Sequence, residues 1–170
     1  MIFQDKTMFI SRGVPGSGKS FATRRVGKFV TTQLQLPAEI DVPIFCVFST
    51  DDFWVDENGY NFNPSRLSEA HNWNQKRVEQ ACMKQVPFVA VDNTNTTYKE
   101  MKPYIYLAEF WNYEVCLVYP NTEWANDAAE CAKRNEHGVP QKTIQKMLDR
   151  FQNHDIIELN AGRKFSKLEV

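Results

Sequence analysis

The sequence predicts an α/β protein with a mostly parallel sheet and helices on both of its faces. Short apolar segments alternate with helical patterns along the chain, which is typical of parallel sheets because a helix connects one parallel strand to the next. Residues 88–91, Phe-Val-Ala-Val, are apolar on both faces, as buried parallel strands are. A glycine-rich turn separates the first apolar segment from the first helical one.

The first half of the chain contains two predicted strands and two predicted helices. The strands cover residues 7–11 and 43–48, and a helix over about residues 20–34 lies between them. A polar and aromatic loop over residues 49–63 follows the second strand. A proline and a serine then begin a helix over about residues 64–84, since proline is favoured in the first helical turn.

The second half repeats the alternation. Strands are predicted over residues 88–91 and 115–118, and an edge strand over residues 156–159. One of the helices between them ends near Arg134, and the basic tail over residues 163–167 is predicted to be a solvated end. Short polar residues or a proline mark the three helix starts: Thr96 or Thr97, Asn121 or Thr122, and Pro140.

The composition excludes several classes of protein. Lys and Arg number 20 and Asp and Glu 21, a net charge of -1, so a large sequence-independent hold on duplex nucleic acid is not expected, whereas a local basic patch on one strand end is compatible. No apolar segment approaches the roughly 20 residues of a membrane helix. Without a signal peptide or a cysteine framework, we expect a cytoplasmic protein of one domain over residues 1–170.

The turn after the first strand carries the motif Gly-x4-Gly-Lys-Ser over residues 13–20. Glycines let successive backbone N–H groups point at a phosphate, and the start of the following helix adds positive potential. Lys19 supplies an ammonium for the β- and γ-phosphates, and Ser20 supplies a hydroxyl for Mg²⁺. The motif predicts a site for a nucleoside triphosphate formed by Gly13, Pro15, Gly16, Ser17, Gly18, Lys19 and Ser20.

Acidic residues follow the second and third predicted strands. Asp51 and Asp52 come directly after residues 43–48, so one carboxylate is a candidate general base for an attacking hydroxyl, although such pairs are also common in solvated loops. Asp92 ends the third strand and could hold Mg²⁺ through water beside Ser20. The short polar residues that follow, Asn93, Thr94 and Asn95, fit either the site or a helix-capping loop.

Two absences favour phosphoryl transfer to an acceptor. The guanine-specific Asn-Lys-x-Asp element of GTPases is missing, and no glutamate follows Asp92, where a motor-type ATPase would place one.

Basic and aromatic residues complete the predicted site. Arg134 and His137 lie between two helices within residues 122–150, which form a plausible lid whose arginine could stabilise the transferring phosphoryl group. Aromatic and polar side chains crowd the loop after Asp51 and the next helix, where they are either acceptor contacts or core. The candidate acceptor contacts are Asp52, Trp54, His71, Asn74, Asn93, Thr94, Asn95 and His137.

A family resemblance rests on seven segments spread over about residues 7–151. They are RGVPGSGKS (12–20), FSTDD (48–52), NFNP (61–64), AHNWNQ (70–75), VDNTNT (91–96), MKPY (101–104) and RNEHGVP (134–140). In these segments the chain resembles the P-loop kinases that include phage-type polynucleotide 5'-kinase, and still more the kinase-like module of NEDD-binding proteins. The resemblance implies the three-layer P-loop NTPase fold, adenylate-kinase-like, with a small helical lid.

The resemblance also implies an activity. It implies an ATP- and Mg²⁺-dependent kinase for a hydroxyl, often the 5'-hydroxyl of RNA or DNA, with Asp51 as general base and Arg134 as the lid arginine. Trp54 and His137 stand where polynucleotide kinases have arginines, which weakens the polynucleotide assignment more than the kinase assignment. A small-molecule kinase for a nucleoside, sugar or sugar nucleotide stays open, as does an ATP-binding interaction module with little catalysis. No oligomeric state is predicted.

Overall fold

The sheet is parallel and has the first strand at its centre. The structure is a computed structural model that describes residues 6–33, 43–57 and 59–170. Within them the main sheet has the strand order β2-β5-β1-β6-β7, all neighbours being parallel, and β3 and β4 form a separate antiparallel ribbon. The strands are β1 (Thr7–Ser11), β2 (Phe45–Phe48), β3 (Val55–Asp56), β4 (Gly59–Tyr60), β5 (Phe88–Asp92), β6 (Glu114–Tyr119) and β7 (Ser166–Glu169).

Helices cover both faces of this sheet. The helices are α1 (Lys19–Gln33), α2 (Leu67–Met83), α3 (Tyr98–Phe110), α4 (Ala128–Arg134), α5 (Gln141–Asp149) and α6 (His154–Ala161), with 3-10 helices at Thr50–Trp54 and Pro64–Arg66. On one face α1 buries Val26 and Val30 against Phe9 of β1. On the other face α2, α3 and α6 form the larger core, to which Tyr104 and Ile157 contribute. This arrangement confirms the predicted three-layer α/β fold.

Helices α4 and α5 form a small unit of their own beside the glycine-rich loop. Cys131 of α4 and Ile144 of α5 are buried together with Val14, which lies in that loop. The Asp127 carboxylate caps α4 by accepting from the amides of Ala129 and Glu130. The expected cap at Asn121 or Thr122 is therefore wrong, and α4 starts later than predicted.

The C-terminal region differs from its prediction. Residues 156–159 lie in α6 and not in an edge strand, because Asn153 caps this helix and Gly162 ends it with φ of 67°. The edge strand is β7, which the sequence assigned to a solvated tail. Its backbone pairs with β6, from Cys116 opposite Ser166 to Tyr119 opposite Glu169. The strand therefore forms through pairing with β6, although its polar sequence does not predict a strand.

The other predicted strands and helices are confirmed to within about three residues where the structure describes them. The expected end of the first helix at Leu34 lies outside the described residues. The segment predicted as a loop over residues 49–63 contains a 3-10 helix and the β3–β4 ribbon. Because β1, β2 and β5 are parallel and in register, their carboxyl ends meet at one edge, where α/β proteins bind ligands.

Candidate active site

In the glycine-rich loop between β1 and α1, two glycines combine positive φ with a close neighbour from outside the loop. Gly16 and Gly18 have φ of 79° and 93°, in the left-handed region that favours glycine. A Cβ at Gly16 would lie 2.0 Å from the carbonyl oxygen of Cys131, and one at Gly18 would lie 2.9 Å from Cγ2 of Thr122. Helix α4 and the segment after β6 therefore pack directly on this loop.

Hydrogen bonds hold the loop from three sides. The Gly13 amide donates to the Thr94 carbonyl at 2.9 Å, the Thr122 hydroxyl to the Ser17 carbonyl at 2.9 Å, and the Trp124 indole to the Gly16 carbonyl at 3.1 Å. Pro15, at the crown of the loop, is half-buried.

A buried hydroxyl in this loop fits a ligand oxygen. Ser17 Oγ is buried and finds no hydrogen-bond partner in the described part of the chain, although an unpaired buried polar atom costs free energy. Together with the glycine backbone at the start of α1, it fits a phosphate group, as the sequence predicts.

Lys19 and Asp92 form an ion pair beside the loop. Lys19 Nζ donates to Asp92 Oδ1 at 3.0 Å, and the two side chains are 12% and 10% exposed. Ser20, the second residue of α1, is half-buried. A carboxylate and a hydroxyl are the oxygen ligands that Mg²⁺ prefers, so the residue types at this point fit that cation.

Asp51 and Asp52 lie in the 3-10 helix that follows β2. Ser49 caps this helix, because its hydroxyl accepts from the Asp51 amide at 3.2 Å while Asp52 accepts from the Ser49 amide at 3.4 Å. Asp52 also pairs with Arg77 of α2 at 2.8 Å. The two neighbouring carboxylates thus differ in their contacts. Asp52 contacts the turn and Arg77, whereas the Asp51 carboxylate takes part in neither of these contacts.

A hydrogen-bond network joins this 3-10 helix to the end of β5. The Thr50 amide donates to Asn93 Oδ1 at 2.9 Å, and Asn93 Nδ2 donates to the Tyr104 hydroxyl at 3.2 Å. Asn74, fully buried on α2, donates to the same hydroxyl at 3.0 Å, and His71 Nδ1 lies 3.4 Å from the Thr50 hydroxyl. Burial raises the pKa of Tyr104. Asn74 and Asn93 therefore support the position of Asp51.

Thr94 contacts the glycine-rich loop through its carbonyl, and Asn95 contacts the end of β1 through its side chain. Asn95 is 2% exposed and has a φ of 47°, and its side chain donates to the Ser11 carbonyl at 2.7 Å. Thr94 is half-buried, and its carbonyl accepts from Gly13. Both residues hold neighbouring strand ends together, and an acceptor contact at either of them stays a prediction.

Arg12 is a buried arginine directly before the loop. It is fully buried, and it donates to the Asn95 carbonyl at 2.9 Å, to the Tyr119 hydroxyl at 2.7 Å and to two further carbonyls, of Thr96 and Gln152. Burial lowers the pKa of its guanidinium from the ordinary value. The sequence contained the signal for this residue, a basic side chain at the end of an apolar strand, but no role followed from it.

Asp51 meets side chains from two other segments. His137 Nε2, in the loop between α4 and α5, lies 3.6 Å from Asp51 Oδ2, and the Tyr60 hydroxyl donates to Asp51 Oδ1 at 3.4 Å. The rings of Tyr60 and His137 are stacked with centroids 4.5 Å apart. The sequence placed His137 near the site, but Tyr60 was only one aromatic among several in its loop.

Arg134 is held at the end of α4. It pairs with Glu130 one turn earlier, and its guanidinium lies 4.5 Å from the centroid of the Trp124 ring. Hydrogen bonds from Lys133 and then from Arg134 lower the pKa of Glu130. Since the Trp124 indole donates to Gly16, Arg134 is one side chain away from the glycine-rich loop, and Trp124 is a contact that the sequence did not reveal.

Trp54, a candidate acceptor contact, is 4% exposed. Its ring packs edge-on against Phe53 and Phe62, with centroids 4.9 Å and 5.1 Å away. Trp54 thus lies buried in an aromatic cluster with Phe53 and Phe62 and not on the protein surface.

A pocket of about 260 Å³ opens beside the glycine-rich loop. Arg12, Gly13 and Val14 form one side, and the segment after β6 forms the other with Thr122 and Asn126 among its residues. It lies next to the loop that fits a phosphate, and its size and mixed lining suit one flat heterocycle.

Parallel strands with a phosphate-type loop after the first of them define a P-loop kinase-like protein, a class that binds nucleotides. The chain belongs to the AAA domain family AAA_33, whose model matches residues 8–154. It is 37% identical over 167 residues to human NEDD4-binding protein 2, a match that covers 96% of this chain and 9% of that protein. It is 24% identical over 145 residues to mouse 2',3'-cyclic-nucleotide 3'-phosphodiesterase, covering 84% of this chain and 30% of that one.

Solved structures share the fold at low sequence identity. Chaetomium thermophilum Kti12 in complex with ADP-AlF3 matches with a TM-score of 0.65 and 12% identity, over 96% of this chain and 88% of that chain. A chain of the Pnkp1/Rnl/Hen1 RNA repair complex matches with a TM-score of 0.63 and 16% identity, over 98% of this chain and 48% of that chain. A gluconokinase from Sinorhizobium meliloti 1021 matches with a TM-score of 0.55 and 14% identity, over 99% of this chain and 85% of that chain.

The chain spans only a small part of the curated relatives, 9% of the first and 30% of the second. In the described part of the chain, no helix has the length and apolarity needed to cross a membrane. All four cysteines are free thiols; the cytoplasmic location stays a prediction.

Proposed function

We propose that this domain is an ATP- and Mg²⁺-dependent kinase whose first-choice acceptor is the 5'-hydroxyl of a polynucleotide. One observation supports the proposal: α4 contacts one half of the site, and the loop between α4 and α5 contacts the other. Cys131 of α4 lies against Gly16 in the phosphate-type loop, and His137 lies 3.6 Å from the Asp51 carboxylate. Phosphoryl transfer to an alcohol requires a phosphate site and an acidic side chain near it that can accept the proton of the alcohol.

We assign each residue a role from its place in the site. The loop amides and Lys19 hold the triphosphate, while the pocket beside Arg12 takes the base. Ser20 and Asp92 would hold Mg²⁺, which would supply positive charge to neutralise the phosphates. Asp51 takes the proton of the acceptor hydroxyl, whose oxygen bonds to the γ-phosphorus while the bond to the bridging oxygen breaks and ADP leaves.

The α4–α5 unit, within residues 122–150, would act as the lid. For Arg134 to reach the transferring group it has to leave Glu130, with which it pairs on the surface of α4. Exposed ion pairs of this kind contribute little free energy, so phosphate oxygens can compete for the guanidinium.

A small-molecule kinase is the second candidate. Trp54, at the position where polynucleotide kinases have an arginine for an acceptor phosphate, is buried, and the net charge of the chain is -1. Both observations favour an acceptor without a phosphate backbone.

One experiment separates the candidates. Purified protein is incubated with labelled ATP, Mg²⁺ and either 5'-hydroxyl RNA and DNA oligonucleotides, nucleosides or sugars. Labelled oligonucleotide is expected. Label only on small molecules would end the polynucleotide assignment, and ATP binding without transfer to any acceptor would favour an ATP-binding interaction module.

A further inference from the structure

The two carboxylate oxygens of Asp51 have different aromatic neighbours. Oδ1 accepts from the Tyr60 hydroxyl at 3.4 Å, and Oδ2 lies 3.6 Å from His137 Nε2. The two rings lie nearly parallel, with an angle of 25° between planes and 4.5 Å between centroids. A flat ring therefore covers one face of Tyr60 and, at the same time, points a ring nitrogen at Asp51.

Tyr60 belongs to the same structural unit as Asp51. The 3-10 helix that contains Asp51 continues directly into β3, and Val55 of β3 pairs with Tyr60 of β4. The backbone amide of Asn61 donates to the Trp54 carbonyl at 2.7 Å, and Trp54 is buried. The ribbon is thus anchored to the core on the side of Asp51, and Tyr60 keeps its place relative to the carboxylate.

His137 belongs to the other unit. It lies between α4 and α5, next to Gly138, which has φ of 64° and open space around it. The His137 side chain is 38% exposed, as is Tyr60. The Tyr60–His137 contact therefore joins the β3–β4 ribbon to the α4–α5 unit beside Asp51.

We propose that Tyr60 is the platform of the acceptor site: its hydroxyl positions Asp51, and the ring face that His137 covers receives the terminal ring of the acceptor. His137 covers this face in the structure and leaves it when the acceptor enters. The proposal rests on the proposed kinase function, and it identifies the acceptor as an alcohol attached to a ring.

The chemistry of the base supports this division of roles. A general base needs one oxygen within hydrogen-bond reach of the hydroxyl that it deprotonates. Tyr60 occupies Oδ1, and the group that enters in place of His137 meets Oδ2. Burial, and then the negative charge of Asp51, raise the pKa of Tyr60 to about 12, so its hydroxyl stays a donor at neutral pH.

The shape of the platform supports the acceptor class. Aromatic side chains stack on rings of any base, with little dependence on sequence. An imidazole already stacks on Tyr60 with a polar atom near the carboxylate, and a ribose or a hexose with its hydroxymethyl group offers the same combination. Acyclic alcohols lack the ring and should be poor acceptors.

Steady-state kinetics with three variants test the proposal. Tyr60→Phe keeps the ring and removes the hydroxyl, so kcat should fall about tenfold, the worth of one hydrogen bond to a charged group, at unchanged acceptor KM. Tyr60→Leu should raise acceptor KM at least about tenfold through lost stacking. His137→Ala should lower acceptor KM, because the competing ring is gone. ATP KM should not change in any of them.

Two exposed positions provide matched controls. Tyr106→Phe removes a hydroxyl from a tyrosine that is 66% exposed on α3, and Glu136→Gln alters the residue beside His137; both should match the wild type. Wild-type kcat in Tyr60→Phe together with wild-type acceptor KM in Tyr60→Leu would overturn the proposal. So would a raised acceptor KM in His137→Ala, which would make His137 an acceptor ligand.

An NMR measurement tests the contact without turnover. The chain has three histidines, so the imidazole proton signals can be assigned by single substitution. The ring current of Tyr60 should shift the His137 signals, and Tyr60→Leu should abolish that shift while thermal melting shows the variant to be folded. Adenosine, a 5'-hydroxyl dinucleotide and a hexose are added separately with a non-hydrolysable ATP analogue.

Comparing the three added compounds identifies the type of acceptor. The compound that moves the wild-type His137 signals towards their positions in Tyr60→Leu is the acceptor type, and glycerol should not move them. If no ring compound does so while the protein transfers phosphate from ATP, this inference fails and the kinase function stands. Absence of transfer to any acceptor would instead contradict the proposed function.

Discussion

Lys19 and Asp92, which are 73 positions apart, form a largely buried ion pair at the edge of the sheet, with Nζ 3.0 Å from Oδ1. The pair joins the first residue of α1 to the last residue of β5. The Asp92 carboxylate thus contacts the ammonium that the proposed function assigns to the triphosphate.

Lys19→Met should weaken ATP binding at least tenfold and lower the free energy of unfolding by about 1–3 kcal/mol. The Asp92 carboxylate, 10% exposed, loses its charged donor, and a buried acceptor without a partner costs about that much. Isothermal titration and urea unfolding measure the two effects. Lys76→Met, at an exposed position on α2, should show neither, and undiminished ATP binding by Lys19→Met would contradict its role.

Asp51→Asn should reduce phosphoryl transfer by about 100-fold or more, the usual contribution of a general base. ATP binding should stay within about twofold, because the hydrogen bonds of Asp51 involve Ser49 and Tyr60 and not the glycine-rich loop. Transfer of label from ATP is the measurement, and Glu57→Gln in the exposed turn of the same ribbon is the control. Full turnover in Asp51→Asn would remove Asp51 from the mechanism.

Gly16→Ala should destabilise the protein more than Gly138→Ala. Both glycines have positive φ, 79° and 64°, so both substitutions cost about 1–2 kcal/mol of backbone strain. Only at Gly16 does the new Cβ meet backbone, 2.0 Å from the Cys131 oxygen. Thermal unfolding compares the two variants, and equal losses of stability would mean that α4 does not pack on the loop in solution.

Arg134→Ala should lower kcat about 100-fold or more if the guanidinium stabilises the transferring group. Glu130→Gln should act in the opposite direction and strengthen ATP binding about twofold, since it weakens the surface pair that holds Arg134. The measurement is kcat and the ATP dissociation constant for both variants. Glu123→Gln, which neutralises another exposed acid in the same region, should leave both unchanged; weaker ATP binding by Glu130→Gln would contradict the competition.

Arg12→Lys should lower the free energy of unfolding by about 2–4 kcal/mol. Lysine lacks the planar fork of donors that reaches the carbonyls of Asn95 and Gln152, and each buried acceptor left unpaired costs about 1–3 kcal/mol. Urea unfolding measures the loss. Arg163→Lys, at an exposed ion pair with Glu109, should change stability by less than about 1 kcal/mol.

Local patterns were sufficient for the centre of the fold. The apolar segments became β1, β5 and β6, and the glycine motif became the turn before α1. Each of these patterns lies within a few consecutive residues. A central parallel strand is buried on both faces, so a short continuous apolar segment is enough to predict it. The end of the chain was different, because the polar residues of β7 form a strand only through backbone pairing with β6.

The sequence by itself determined the fold class, the phosphate-type loop and the acidic residues at the strand ends, because these features depend on neighbours in the chain. Only the tertiary structure decided how Asp51 is surrounded. In the folded protein the Tyr60 hydroxyl donates to Asp51 Oδ1 and His137 lies beside Asp51 Oδ2. Asp52 pairs with Arg77, and Trp54 is buried. The physical reason is that these contacts depend on how α4, α5 and the β3–β4 ribbon pack on the core, and packing joins residues too far apart in sequence for any local pattern to relate them.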